Sequence, residues 1–261
     1  MEKEKLPGIK LFDMTGQAAV ITGGSKGLGL AMAAGLASAG ANLMLVSRHG
    51  READIQAKQL EADYGIKAIS FEGDVTSEED MIRMAQVALD EFGKIDVLIN
   101  SAGINIRGPI DELSHKEFKQ VMGTNVEGTW LAIRAVVPVM KKAKKGKIIN
   151  VASTLGLVGI ANRTPYTSSK GAIVQMTRAL GIELAPFQIN VNALCPGPFL
   201  TDMNIPIANT EEGRRIIVGA TALERWAELK EIQGAALLLA SEASSYMTGS
   251  MVTVDGGWTA R

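Results

Sequence analysis

Cysteine is almost absent from this chain. Cys195 stands alone, so no disulfide can close within it and no Cys-rich metal site can assemble. It lies in an apolar stretch just before a proline, the setting of a small buried side chain rather than a reactive thiol. Histidine is nearly as scarce: His49 and His115 are too few and too scattered to predict a metal centre. An excess of one charge is missing too. With 27 Lys and Arg against 28 Asp and Glu, the net charge of −1 gives no electrostatic footprint for nucleic acid or an anionic membrane. The one cationic run, Lys141-Lys142-Ala143-Lys144-Lys145 with Lys147 beyond, falls between a predicted helix and a predicted strand. It reads as a solvated C-terminal turn that suits the helix dipole. No stretch approaches the ~20 continuous apolar residues of a membrane span. The start, Met-Glu-Lys-Glu-Lys, is mixed in charge and leads into no apolar signal core. Together these absences predict a soluble, cytoplasmic protein.

What is abundant is apolar or small. Of 261 residues, 46% are hydrophobic and 28 are glycine, enough for a substantial core in one domain over residues 1–261. Short β-rich runs at Ala18–Thr22, Asn42–Val46, Ala68–Phe71, Val97–Asn100, Lys147–Val151, Asn190–Leu194 and Met251–Val254 read as strands. Helical patterns at Leu28–Ala39, Glu52–Tyr64, Glu78–Phe92, Glu117–Lys141, Pro165–Leu184 and Leu229–Ala240 alternate with them. Several strands are apolar on consecutive residues, as parallel strands covered on both faces are. The alternation predicts an α/β fold, a doubly wound parallel sheet of about seven strands with helices on both faces, Rossmann-type. Ligands of such sheets bind beyond the carboxyl ends of the strands. The excursion after the sixth strand, residues 197–219, is therefore predicted to cover the substrate, as irregular chain followed by a short mobile helix.

The first strand runs straight into Thr22-Gly23-Gly24-Ser25-Lys26-Gly27-Leu28-Gly29 and then an apolar helix. Glycines there permit a tight turn and let backbone N–H groups approach a pyrophosphate at the helix N-terminus, which predicts dinucleotide binding. The second strand ends in Val46-Ser47-Arg48, where NAD-selective sites commonly carry an acid for the ribose 2′-hydroxyl. Arg48 with Lys26 suits a 2′-phosphate instead, so NADP(H) is predicted to be preferred, with NAD(H) as the alternative carrier. Farther on, Tyr166 and Lys170 in Tyr-Thr-Ser-Ser-Lys lie one helical turn apart on one face. A free tyrosine hydroxyl has a pKa of about 10. A cation held close favours the phenolate and lowers that value, so the pair is a candidate acid/base catalyst that needs no histidine.

Taken together, the glycine loop, the tyrosine-lysine pair and the elements between them resemble the short-chain dehydrogenase/reductase family from Leu11 to Trp258. Asp74-Val75 looks like that family's adenine-contacting pair. Asn100-Ser101-Ala102-Gly103 matches its Asn-Asn-Ala-Gly motif with one departure, Ser101, which alters a sheet-supporting hydrogen bond but leaves Ala102 and Gly103 beside the cofactor. Asn125, Ser153, Tyr166 and Lys170 match the catalytic tetrad. Pro196-Gly197 and Thr201 match the segment that holds the nicotinamide carboxamide, with the Phe199 backbone as a further contact. The resemblance implies an enzyme that interconverts a secondary alcohol and a ketone. Tyr166 would handle the proton and Ser153 would polarise the substrate oxygen. Lys170 would tune Tyr166 and hold the nicotinamide ribose, and Asn125 would hold a relay water.

The tetrad does not choose a substrate. Arg107, in the loop after the fourth strand, and Arg163, just before Tyr166, carry guanidinium groups suited to a carboxylate. The Arg107 loop and the C-terminal run from Val254 to Arg261 look similar to the branch that oxidises gluconate-type sugar acids. A 3-oxoacyl thioester reductase is the alternative; it would want a basic patch for an acidic carrier protein, and Lys141–Lys147 is the candidate. A non-catalytic NADP(H)-sensing protein is the alternative of another class, and its sign would be a lost tetrad residue. The resemblance also implies a homotetramer that buries Glu117–Lys141 and Pro165–Leu184 against symmetry mates. Ala172, Met176, Ala179 and Leu180 suit such a face or, equally, a cover for the sheet.

Overall fold

A computed structural model describes residues 6–211 and 213–260; the Met-Glu-Lys-Glu-Lys start, position 212 of the covering segment and Arg261 lie outside them. Seven strands, β1 Ala18–Thr22, β2 Asn42–Ser47, β3 Ala68–Glu72, β4 Val97–Asn100, β5 Gly146–Val151, β6 Ile189–Pro196 and β7 Met251–Val254, form one sheet. Their order is β3-β2-β1-β4-β5-β6-β7, with every neighbouring pair parallel. The helices are α1 Gly27–Ser38, α2 Gly50–Tyr64, α3 Glu78–Phe92, α4 His115–Met122, α5 Gly128–Ala143, α6 Thr164–Leu184, α7 Ile205–Ala208 and α8 Gln233–Ala240.

Successive side chains on a strand face opposite ways, and here both directions are apolar. Val20, Met44, Leu98 and Ile148 enter one core with Met81 and Met84 of α3 and Leu131 and Val136 of α5. Ile21, Leu45, Ile99 and Ile149 enter the other with Met32 and Leu36 of α1, Leu60 of α2 and Leu239 of α8. Each such side chain contributes about 1.5–3 kcal/mol when fully buried. The register sets Thr22 beside both Val46 and Asn100, and Asn100 beside Asn150. Four strands therefore release their loops at one edge. The winding reverses between β1 and β4, which opens a crevice there.

Several predicted elements change shape. The helix expected over Glu117–Lys141 is α4 and α5 joined by a π turn, Gly123–Glu127. It starts earlier, at His115, because Ser114 and Glu117 form a capping box. Gly128 lies so close to Val75 that a Cβ there would come within 2.6 Å of the valine side chain. The helix expected over Leu229–Ala240 begins as a 3₁₀ turn, Leu229–Ile232, and only then becomes α8. The covering segment holds α7, a π turn at Gly213–Ile217 and a 3₁₀ turn at Val218–Ala220, rather than one helix. Lys147 departs furthest from expectation. It lies in the predicted strand, but instead of being solvated it is only 5% exposed, and its Nζ donates to Asn190 Oδ1 at 2.8 Å. Burial pushes its pKa down. Lys145 pairs with Glu242 at 2.8 Å, so the run is not a uniformly solvated patch. On α6, Met176 and Leu180 pack on the sheet's core, whereas Ala179 is exposed.

Candidate active site

The glycine loop is shaped by contact. Gly23 has φ +65°, and a Cβ on it would come within 2.9 Å of Ala102. A Cβ on Gly29 would collide with the Gly23 carbonyl oxygen. Only glycine allows α1 to begin this close to the β1 turn. The N-cap of α1, Lys26, makes no side-chain cap, which leaves first-turn N–H groups for an anion. Across the gap, a Cβ added at Gly27 would lie 3.9 Å from the Thr201 methyl. Between these walls opens a cleft of about 300 Å³ at the carboxyl ends of the strands. Among the described residues there is no cluster of His, Cys, Asp and Glu that could hold a metal.

Most predicted site residues line this cleft: Gly23, Ser25, Lys26, Leu28, Ser47, Arg48, Asp74, Val75, Ala102, Gly103, Ser153, Tyr166, Lys170, Pro196, Gly197, Phe199 and Thr201. A glycine cradle, an uncapped helix start and two cations at the far end fit a phosphorylated dinucleotide. Asn100, expected among them, is instead buried in the sheet, where its Nδ2 donates to Asn150 Oδ1 at 2.9 Å. The motif departure Ser101 keeps its backbone N–H on the Thr22 carbonyl at 3.2 Å. Asp74 Oδ1 accepts from the Thr76 N–H and hydroxyl, which fixes the loop after β3.

The tetrad positions converge from three elements. Ser153, in extended backbone after β5, accepts the Leu155 N–H at 3.1 Å and lines the cleft together with Tyr166. Tyr166 and Lys170 come from α6, whose first turn carries Pro165. The Tyr166 ring keeps some exposure, but its hydroxyl is enclosed, and burial pushes its pKa up. Ser153 and the Arg107 charge oppose that rise without cancelling it. This corrects the expectation that Lys170 lowers the tyrosine. Its Nζ lies over the Tyr166 ring, 5.6 Å from the centroid, and donates to the Val151 carbonyl at 2.7 Å. Burial lowers the Lys170 pKa to about 8. Cys195 is buried as expected, with its thiol pushed up to about 11 by desolvation.

Asn125 sits in the π turn. Its Oδ1 accepts the Ile104 N–H at 2.8 Å, and its Nδ2 donates to the Ile104 carbonyl at 3.0 Å and to Ser169 Oγ at 2.9 Å. It therefore ties the β4 loop to α6 through Ser169, a partner that sequence reasoning missed although it lies inside the Tyr-Thr-Ser-Ser-Lys run. The two arginines meet on one side of the cleft, in a pocket shared with Gly108, Ile160, Asn162 and Ile207. Arg107 donates to Asn204 Oδ1 at 3.0 Å and to the Met203 carbonyl at 3.3 Å, so it reaches the covering segment. Arg163, 5% exposed, donates to the Asn162 carbonyl at 3.0 Å. The Gly108 N–H donates to the same carbonyl at 3.1 Å, which joins the two arginine loops.

Known proteins are similar to this chain over nearly their whole length. A family model described as enoyl-(acyl carrier protein) reductase matches residues 23–259. Gluconate 5-dehydrogenase of Gluconobacter oxydans (strain 621H) is 35% identical over 249 residues, 95% of this chain and 97% of the relative. Cyclopentanol dehydrogenase of Comamonas sp. (strain NCIMB 9872) is 38% identical over 241 residues, 92% and 96% of the two chains. Among solved structures, a gluconate 5-dehydrogenase from Burkholderia cenocepacia J2315 in complex with NADP and tartrate superposes with a TM-score of 0.92 at 32% identity, over 96% of this chain and 98% of that one.

Proposed function

The chain belongs to the short-chain dehydrogenase/reductase family and is an oxidoreductase acting on CH–OH groups, and from that footing we propose an NADP(H)-linked interconversion of a sugar acid and its keto form. The observation that carries the chemistry is the convergence of Ser153, Tyr166 and Lys170 on one cleft shaped for a dinucleotide. Gly23, Lys26, Arg48 and Lys170 of that cleft would hold NADPH, which would supply the hydride that the carbonyl carbon takes up. In this direction the Tyr166 hydroxyl gives its proton to the substrate oxygen, and the alcohol leaves with both. The Ser153 hydroxyl orients that oxygen and offsets its growing negative charge. Lys170 lies next to the phenolate that remains and returns a proton towards it. In the proposed relay, water reaches Lys170 past Asn125. Because the Asn125 amide is spent on Ile104 and Ser169, its further part is to hold the π turn against α6. In oxidation the same groups work in reverse, with Tyr166 as base.

Arg107 and Arg163 support a carboxylate-bearing substrate, since both line one pocket and the Arg107 charge acts on Tyr166. The named relative and the structure with NADP and tartrate support the same class. The thioester alternative is weakened, because the cationic run it would use has Lys147 buried and Lys145 paired. Exposed Phe118 and Trp130 on α4 and α5 support a homo-oligomer built through that face. No helix among the described residues is long and apolar enough to cross a membrane. The test is direct. Purified enzyme should oxidise gluconate with NADP and reduce 5-ketogluconate with NADPH, and Tyr166→Phe should abolish both while still binding NADPH. Substantial turnover by that variant would remove Tyr166 from the chemistry.

A further inference from the structure

The structure holds an acid that no motif points to. Glu52, in the first turn of α2, places Oε2 3.0 Å from Ser25 Oγ, and Ser25 Oγ is in turn 3.1 Å from Ser47 Oγ. The Ser47 oxygen also accepts the His49 N–H at 3.1 Å. A hydroxyl has one proton to give, whereas an ionised carboxylate only accepts. The chain therefore has one consistent direction: His49 N–H to Ser47, Ser47 hydroxyl to Ser25, Ser25 hydroxyl to Glu52. Both serine protons run towards the carboxylate, not towards the cleft that both serines line. Glu72, at the end of β3, crowds Gly50 at the same helix start and adds a second negative charge there.

We infer that Glu52 is a specificity-determining residue for the dinucleotide: it takes the Ser25 donor and opposes the 2′-phosphate, and so holds NADP(H) affinity down while leaving NAD(H) usable. This rests on the dinucleotide reading above. The physical basis is competition. Ser25, Ser47, Arg48 and Lys26 make the end of the cleft suited to a phosphate, but a carboxylate within hydrogen-bond reach of Ser25 is itself an anion already bound there. A ribose 2′-hydroxyl brings no charge and is not repelled. A purely structural part for Glu52, ordering the glycine loop, would act on either dinucleotide alike.

The experiment is calorimetric titration of the wild type, Glu52→Ala and Glu52→Gln with 2′,5′-ADP and with 5′-AMP, which needs neither substrate nor turnover. Glu52→Ala should bind 2′,5′-ADP about tenfold more tightly, with 5′-AMP changed less than about twofold. Glu52→Gln, which removes the charge but keeps an acceptor, should show a smaller gain in the same direction, and it decides the matter if the alanine variant does not fold. The gain should shrink as salt rises through the range where exposed charges are screened. A ratio of the two affinities that neither variant changes overturns the inference and leaves the dinucleotide reading standing. Wild-type protein that binds neither compound overturns both.

Discussion

Lys170 should destabilise the protein it serves, and Lys170→Met tests this. Burial lowers its pKa from 10.5 in the unfolded chain to about 8 in the folded one. At about 1.4 kcal/mol per pKa unit, holding the ammonium in that site costs about 3 kcal/mol. The sign follows from proton counting. Below about pH 8 both states carry the proton, and the folded state bears the full cost. As pH rises from there to 10.5 the folded state sheds the proton first, so stability climbs, and above 10.5 the cost is gone. Methionine has similar length and no charge, but it leaves the Val151 carbonyl without the 2.7 Å donor, at about 1–3 kcal/mol. Near neutral pH the variant should therefore be more stable by about 1 kcal/mol, although inactive. Above about pH 10.5 the order should reverse, because only the carbonyl defect remains. Urea unfolding without cofactor, at one protein concentration and several pH values, measures the difference. A gap that stays constant across this range, or a variant less stable at every pH, would refute the reasoning.

Three further outcomes follow from the site. Gly29→Ala should lose most NADPH binding by fluorescence titration, since its Cβ meets the Gly23 backbone, whereas Gly234→Ala, open on all sides in α8, should gain about 0.5–1 kcal/mol; normal binding by the first would show that the loop can yield. The raised Tyr166 pKa keeps the proton needed for reduction in place through neutral pH, so kcat/KM for reduction should be flat from about pH 6 to 8 while that for oxidation rises with pH; the opposite trend would exclude Tyr166 as the titrating group. Arg107→Ala should raise KM for an aldonate by about tenfold or more, with little change for an uncharged cyclic ketone, as expected for loss of a charge-assisted contact; equal effects on both would assign Arg107 to the covering segment alone.

The strand runs were legible because parallel strands buried on both faces are apolar at every position, and Val20 and Ile21 serve opposite cores. The helix ends at Gly65 and Gly93 were legible because a left-handed C-cap selects glycine. The π turn around Asn125 was not, because its cause lies elsewhere in the chain, in the Ile104 backbone and Ser169. Asn100 and Lys147 were misplaced for a related reason. Whether a polar side chain faces a ligand, the solvent or a buried partner depends on what other strands bring beside it, here Asn150 and Asn190.

By itself the sequence determined the order of elements, the edge at which the cleft forms and most of the residues that line it, because these follow from local periodicity and short motifs. Tertiary structure decided the protonation states and the partners. The Tyr166 pKa is raised rather than lowered, since desolvation by the assembled core outweighs the opposing effects of Ser153 and the Arg107 charge. Glu52 faces Ser25 from the next βα unit, 27 residues along the chain, a distance at which only the packing of β1 against β2 makes them neighbours.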